Sequence, residues 1–392
     1  SVQWVINRST KGLGTTFVAW VLLVAVIVIG HMPAAAGTSP PRSRGADAIM
    51  GHVNELQRIA DSNGGHREAG SAGHRESVEY FESVLRDAGL KVWTEPFEFL
   101  YTRSDRAELT VEGENLDLVP AAFGPSTNGT LRAPTYFLES EGCSEKEYLK
   151  VPRGSVVILD EPSGCTITEQ HRFASDSGAA AALVVSTTDV PPYIWLNGAG
   201  LRDIPTAGIS RRTAETIRVK QSLVSLTLEM VTERRSSVNL IAESPGSGGR
   251  VIELGAHLDS VPQGPGINDN AVSAAVLLEQ AISSAQSDHE KTHRYMFWSA
   301  EEFAFAGSRS YLRNVDNPER VSAYINLEML AAPNSGYFYA RNDGSVQSRI
   351  IEDAIIEGYS QRGIQPARDT NEIPRSDDSS YQEAGIPTGG IW

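Results

Sequence analysis

The chain has 392 residues, 40% of them hydrophobic, and a formal net charge of -15. That length allows about two to three domains with enough apolar content for a large core. The acidic balance argues against nucleic acid and anionic membrane surfaces as partners, and fits an enzyme with an acidic exterior.

Taken from the amino end, Arg8 and Lys11 precede the uncharged stretch Phe17 to Gly30, and Pro33-Ala34-Ala35-Ala36-Gly37 follows. This is the plan of a signal peptide over residues 1–36: the apolar core is short for a membrane span, and Ala34-x-Ala36 suits cleavage near Ala36. The alternative is an uncleaved type II membrane anchor. Residues 37–45, rich in Pro, Ser and Arg, read as a flexible leader.

Ile49, Val53, Leu56 and Ile59 mark an amphipathic helix, and Val78, Phe81, Val84, Leu85 and Ala88 mark a second that Gly89 ends. Both are expected to cover a central sheet. Leu90 to Leu100 and Ala107 to Val111 read as strands. From about Leu118 to Gln221 the pattern changes to short strands with Gly and Pro, including Ser155–Leu159, Ala179–Ser186 and Ile204–Ile209. Cys143 and Cys165 fall in that segment. In an oxidising compartment they are expected to pair, closing a loop worth about 3 kcal/mol in the chain-entropy picture; the alternative is two free buried thiols. Asn128-Gly-Thr130 is a candidate glycosylation sequon.

After Ser237, strands and helices alternate, and chemistry collects where strands end. Val251 to Ala256 reads as a buried strand leading into His257 and Asp259, then Gly264-Pro-Gly266-Ile-Asn268-Asp269-Asn270 and an apolar helix from Ala271 to Ala281. His289 and His293 are expected to face solvent in a polar connection. A second strand, Tyr295 to Ser299, runs into the adjacent carboxylates Glu301 and Glu302, and a third, Val321 to Leu327, ends at Glu328. Arg375 and Asp377 lie before the final Gly-rich segment.

Each of these residues alone has an ordinary reading: a turn histidine, an N-cap aspartate, solvated glutamates at a helix start, a surface ion pair at Arg375 and Asp377. Four such features in order at four strand ends outweigh those readings and point to metal-assisted hydrolysis, in which one carboxylate binds a cation and its neighbour acts as a base. There is no HExxH helix, G-x-S-x-G elbow or Walker loop. The Gly264-Pro-Gly266 turn lacks the third glycine of a cofactor loop.

The stretches Asn239-Leu-Ile-Ala-Glu243, GAHLDSV with GPGINDN, WSAEEFAFAGS, INLEML and RSDDSSYQEAGIPTGG, with Gly65-His-Arg-Glu-Ala-Gly-Ser71 upstream, resemble the secreted co-catalytic dizinc aminopeptidases with a protease-associated domain, the leucyl aminopeptidase and vacuolar aminopeptidase Y type. The resemblance covers nearly everything after about residue 46. It implies an α/β zinc exopeptidase fold: a mixed, mostly parallel central sheet covered by helices on both faces, with a β-rich protease-associated domain inserted. The peptidase would take residues 46–117 and 222–392, and the insert residues 118–221.

Carried over residue by residue, the resemblance implies two Zn2+ per chain. His257 and Asp269 bind one, Asp269 bridges to a second held by Glu302, and Glu328 closes the first site where the family usually has Asp. Asp259 orients His257, as metal-bound imidazoles usually hand their other N–H to a carboxylate. Glu301 is the general base, a metal-bridged hydroxide attacks, and Arg375 and Asp377 contact substrate. The substrates implied are peptide or protein N-termini with apolar first residues, in the extracellular space or a vacuolar lumen. The family's last zinc ligand is a His, and none follows the RSD segment. The chain is therefore expected to be a fragment lacking both ends, the alternative being a damaged second site. A carboxypeptidase or glutaminyl cyclase on the same fold, or a non-catalytic binding protein, are the competing readings.

Overall fold

The computed structural model describes residues 44–196, 203–244, 249–285, 287, 291–315, 318–332, 336–339, 345–369 and 376–392. The expected signal segment 1–36, the leader as far as residue 43, and His289 lie outside the described residues. Among the described residues no helix is long and apolar enough to cross a membrane.

The chain divides into two compact units, one formed by the chain up to Phe99 and from Ser236 onward, the other by Leu100–Arg235. In the first, the sheet runs in the order Ala367–Arg368, Phe338–Tyr339, Thr388–Ile391, Val321–Leu327, Val251–His257, Thr292–Trp298, then the strand that ends at Ser244 and the one that begins at Lys91. The strand Val251–His257 pairs in parallel with both neighbours, and Val321–Leu327 in parallel with Thr388–Ile391; Thr292–Trp298 meets the strand ending at Ser244 antiparallel. Every residue of Val251–His257 and of Val321–Leu327 is buried, as expected of parallel strands covered on both sides, which read as apolar runs and not as alternation.

The period of two then sorts side chains between two cores. On one face Ile252, Leu254, Ala256, Ala323 and Ile325 meet the helices Arg44–Ser62, Ala72–Asp87, Val272–Ser284 and Val346–Ser360 through residues such as Leu56, Phe81, Leu277 and Ile355. Full burial of each Leu, Ile or Phe contributes about 1.5–3 kcal/mol. On the other face Met296, Trp298 and Tyr324 meet Tyr311 of the helix Ala306–Asn314 and Tyr381 of the helix Asp378–Glu383. The helix Ala72–Asp87 starts where the Ser71 hydroxyl accepts from the His74 N–H, and ends before Gly89, whose φ of 89° only glycine adopts freely. His52 ties three helices together, its ring nitrogens lying 2.6 Å from the Tyr80 hydroxyl and 2.9 Å from Glu279.

The second unit contains a five-stranded sheet in the order Val119–Pro120, Thr206–Ile209, Ala181–Val185, Val156–Asp160, Thr135–Phe137, parallel except at its first pair. Among the described residues it carries two α-helices as well, Ile167–Asp176, opened by a reciprocal Thr166 and Glu169 capping box, and Arg211–Lys220, capped by Ser210. Cys143 and Cys165 are disulfide-bonded with Cα atoms 5.6 Å apart, so the free-thiol alternative is set aside. Asn128 is exposed.

The fold class is the expected one, and two local readings are corrected. The two strands expected at Leu90–Leu100 and Ala107–Val111 are one continuous strand, Lys91–Val111. Its polar middle does not break it because Arg103 and Asp105 (2.7 Å), and Arg106 and Glu108 (2.8 Å), pair at i, i+2 along a strand face. His293, expected to face solvent, is 3% exposed. The strand begins earlier, at Thr292, so residue 293 falls on the same inward face as Tyr295 and Phe297.

Candidate metal centre

Three adjacent parallel strands deliver their C-terminal ends to one edge. Val251–His257 ends on the imidazole itself, Thr292–Trp298 continues through Ser299 and Ala300 to Glu301 and Glu302, and Val321–Leu327 stops one residue before Glu328. Such an edge is where open α/β sheets gather functional groups. Asp269 arrives from the loop that follows His257, in the turn Ile267–Ala271 that leads into the helix Val272–Ser284.

The turns beside both buried carboxylates hold non-glycine residues in left-handed backbone, Ala300 at φ 55° and Met329 at φ 45°. Such residues cost on the order of 1–3 kcal/mol each and persist only where neighbours fix them. Here Asp259 and Asn270 do so. The Asp259 carboxylate accepts the Glu301 N–H at 3.3 Å. The Asn270 side chain donates to the Leu327 carbonyl and accepts from the Met329 N–H, both at 2.9 Å, so it grips the backbone on either side of Glu328.

Around the imidazole, His257 Nε2 lies 3.0 Å from Asp269 Oδ1, 3.4 Å from Glu328 Oε1 and 3.9 Å from Glu301 Oε2. Nδ1 faces the Asp259 carbonyl at 3.2 Å and its carboxylate at 3.5 Å. One ligand atom each from His257, Asp269 and Glu302 falls within 4.8 Å of the others, and so does one each from His257, Glu301 and Glu328. Donors held about 2.0–2.1 Å from a tetrahedral zinc sit roughly 3.3 Å from one another. The distances from His257 Nε2 to Asp269, 3.0 Å, and to Glu328, 3.4 Å, match that spacing.

The electrostatics fit as well. Burial pushes the Glu301 carboxyl well above its ordinary range despite the nearby imidazole, with Glu328, Asp377 and Glu302 adding to the rise. Burial and the surrounding carboxylates raise Glu302 and Asp377 to about 8, and Asp378 to about 7. Burial alone would depress His257, but Glu301, Glu328 and its bonds to Asp259 and Asp269 outweigh it and hold the ring well above its usual pKa. Asp269 is drawn below its ordinary value by the His257 bond, against the effect of burial. Carboxylates packed this tightly around one imidazole carry more negative charge than protein cations balance, which is the condition a divalent ion relieves. Glu302 Oε1 and Asp259 Oδ2 are buried without a hydrogen-bond partner among the described residues. With nitrogen and oxygen donors only, the set suits zinc.

The structure thus brings His257, Asp259, Asp269, Glu301, Glu302 and Glu328 together. Asp377 is fully buried at the start of the helix Asp378–Glu383, and Arg375 lies outside the described residues. Two contributors went unassigned in the sequence although both stand inside quoted motifs, Asn270 and Arg67. Arg67 is fully buried; its Nε donates to the Pro265 carbonyl at 2.9 Å, Nη2 to the Gly266 carbonyl at 3.0 Å and Nη1 to the Leu258 carbonyl, while its N–H donates to the Ser260 hydroxyl at 2.9 Å. Burial brings the guanidinium down to about 10, so it stays charged at neutral pH. It laces both ends of the loop between His257 and Asp269. Arg67→Met is expected to leave the Leu258 and Pro265 carbonyls unsatisfied, the Gly266 carbonyl keeping its bond from the Ala271 N–H, at a cost on the order of 3 kcal/mol, and to weaken metal retention. Urea unfolding with and without zinc checks this; unchanged midpoints would sink it.

The sequence matches Peptidase family M28 over residues 239–391 and the PA domain over residues 122–217. Among curated proteins it is similar to the probable lipoprotein aminopeptidase LpqL of Mycobacterium tuberculosis, 30% identical over 97% of this chain and 80% of that protein. It is also similar to probable leucine aminopeptidase 2 of Trichophyton verrucosum, 30% identical over 88% of this chain and 72% of the relative. Among solved structures, the aminopeptidase from Aneurinibacillus sp. strain AM-1 superposes with a TM-score of 0.75 at 19% identity, over 94% of this chain and 86% of that one. The zinc aminopeptidase BSAP from Bacillus subtilis gives 0.64 at 23% identity, over 88% and 84%.

Proposed function

The chain belongs to peptidase family M28 and is a metalloaminopeptidase, and on that premise we propose that it is a secreted zinc enzyme removing apolar N-terminal residues from peptides. One observation carries the reading: at the C-terminal edge of the sheet His257 shares coordinating reach with Asp269 and Glu302 in one group and with Glu301 and Glu328 in another. His257, Asp269 and Glu328 would hold one zinc, and Asp269 with Glu302 a second.

Bound zinc supplies Lewis acidity and an acidified water. The protein's own groups do the rest. Glu301, whose backbone is fixed by Asp259, takes a proton and passes it to the departing amine, the work of a general base turned acid. Asp259 fixes the imidazole orientation through Nδ1. Carboxylate charge left over once the metal is balanced would draw in the α-ammonium of a free N-terminus and disfavour a blocked one. The apolar preference follows the naming of the leucine aminopeptidase relatives, and the disulfide and exposed Asn128 support an oxidising, extracellular destination.

The test is hydrolysis of leucine p-nitroanilide by the purified chain supplied with zinc. Turnover is expected, lost with a chelator and restored by zinc, with the N-acetylated substrate left intact. Equal cleavage of the blocked and free substrates would overturn the aminopeptidase assignment.

A further inference from the structure

A chain of five buried polar side chains ends on the side of Glu328 that faces away from His257. Trp298 Nε1 donates to the Tyr324 hydroxyl at 2.9 Å, that hydroxyl donates to Asn326 Oδ1 at 2.8 Å, Asn326 Nδ2 donates to Ser376 Oγ at 2.9 Å, and Ser376 donates to Glu328 Oε2 at 2.7 Å. None of the five is more than 3% exposed. The other Glu328 oxygen, Oε1, is the one 3.4 Å from His257 Nε2.

The direction of every donor in this chain follows from its first member. An indole nitrogen can only donate. The Tyr324 oxygen therefore receives, and its single proton goes onward to Asn326 Oδ1. With the Asn326 oxygen taken, its amide nitrogen must face Ser376, whose proton is left one destination, the Glu328 carboxylate. The opposite Asn326 orientation would give Tyr324 two incoming donors and strand its own proton in a closed interior. Donors aligned head to tail in a dry interior also strengthen one another.

The surroundings keep this path open. Gly255, opposite Asn326 in the neighbouring strand, has no side chain where a Cβ would collide with the Tyr324 hydroxyl and the Trp298 nitrogen. The Tyr324 ring is clamped in a parallel stack on Tyr381, 3.7 Å between centroids and 5° between planes.

Resting on the metalloaminopeptidase reading, we propose that Tyr324, acting through Asn326 and Ser376, is a positioning residue that turns one Glu328 oxygen away and presents the other to the metal. Glutamate has one more rotatable bond than aspartate, so a Glu in this place needs an outside constraint to give a single ligand geometry. The chain of donors supplies it. Groups that orient a ligand from behind typically change metal affinity by 10–100-fold when removed.

The experiment compares Tyr324→Phe and Ser376→Ala with Tyr311→Phe in the full chain. Tyr311 is a buried tyrosine, 3% exposed, that packs on Trp298 but bonds to Glu253 at 2.6 Å and lies outside this series of hydrogen bonds. Zinc affinity is read by competition with a chromogenic chelator, and ligand geometry by the visible absorption of the cobalt-loaded protein. Tyr324→Phe and Ser376→Ala are expected to weaken zinc roughly tenfold or more and to alter the cobalt bands; Tyr311→Phe should lower only the melting temperature. Should Tyr324→Phe not fold, Ser376→Ala carries the comparison. Unchanged affinity and spectrum in the first pair, or equal losses in all three, overturns the proposal. A wild-type chain that binds no zinc at all overturns the metalloenzyme reading itself, a distinguishable failure.

Discussion

Glu301→Gln should lower kcat by roughly 10²–10⁴-fold while leaving zinc content and melting temperature at wild-type values. The amide keeps the size and shape of the carboxyl and loses its charge and its capacity to take up a proton. The fold has little reason to notice, because what fixes this residue is its backbone, held through Asp259 and the left-handed Ala300. The prediction discriminates because Glu301 also lies within ligand distance of His257 and Glu328. Were it a metal ligand, the substitution would release zinc as well as activity. Steady-state rates beside metal analysis of the same preparation separate the cases, and near-normal turnover would show that another group moves the proton.

Asp269→Ala is expected to abolish metal binding at both positions together, and with it all turnover above background. Asp269 is the one carboxylate that touches the imidazole at 3.0 Å and also falls within reach of Glu302, so its removal takes a donor from each ion at once. Removing Glu302 alone should spare the ion held by His257 and Glu328. The measurement is zinc per chain, supported by unfolding. Ligand at a hundred times its Kd stabilises a folded protein by about 2.7 kcal/mol, so added zinc should raise the melting temperature of the wild type and leave Asp269→Ala unmoved. A variant that kept one zinc would contradict the bridging role.

The architecture was readable because parallel strands buried on both faces leave a trace, the largely apolar runs Val251–Ala256 and Val321–Leu327, followed by His257 and Asp259 in one case and by Glu328 in the other. Helix ends were readable where local chemistry decides them, as at Gly89. What escaped were consequences of pairing and distance. The strand Lys91–Val111 looked broken because its Arg and Asp residues satisfy one another only once extended. His293 looked exposed because a polar neighbourhood in sequence says nothing about which face of a strand a residue takes. At the site, sequence could supply residue types and their order. It could not show that Asn270 bonds to the backbone on both sides of Glu328, or that Arg67 donates into the loop after His257, since both relations join segments far apart in the chain.

The loop that follows the imidazole takes its shape against a guanidinium nearly two hundred positions earlier in the chain. The shape of that loop is therefore not a local property of the residues around it: it depends on a segment nearly two hundred positions away being in place.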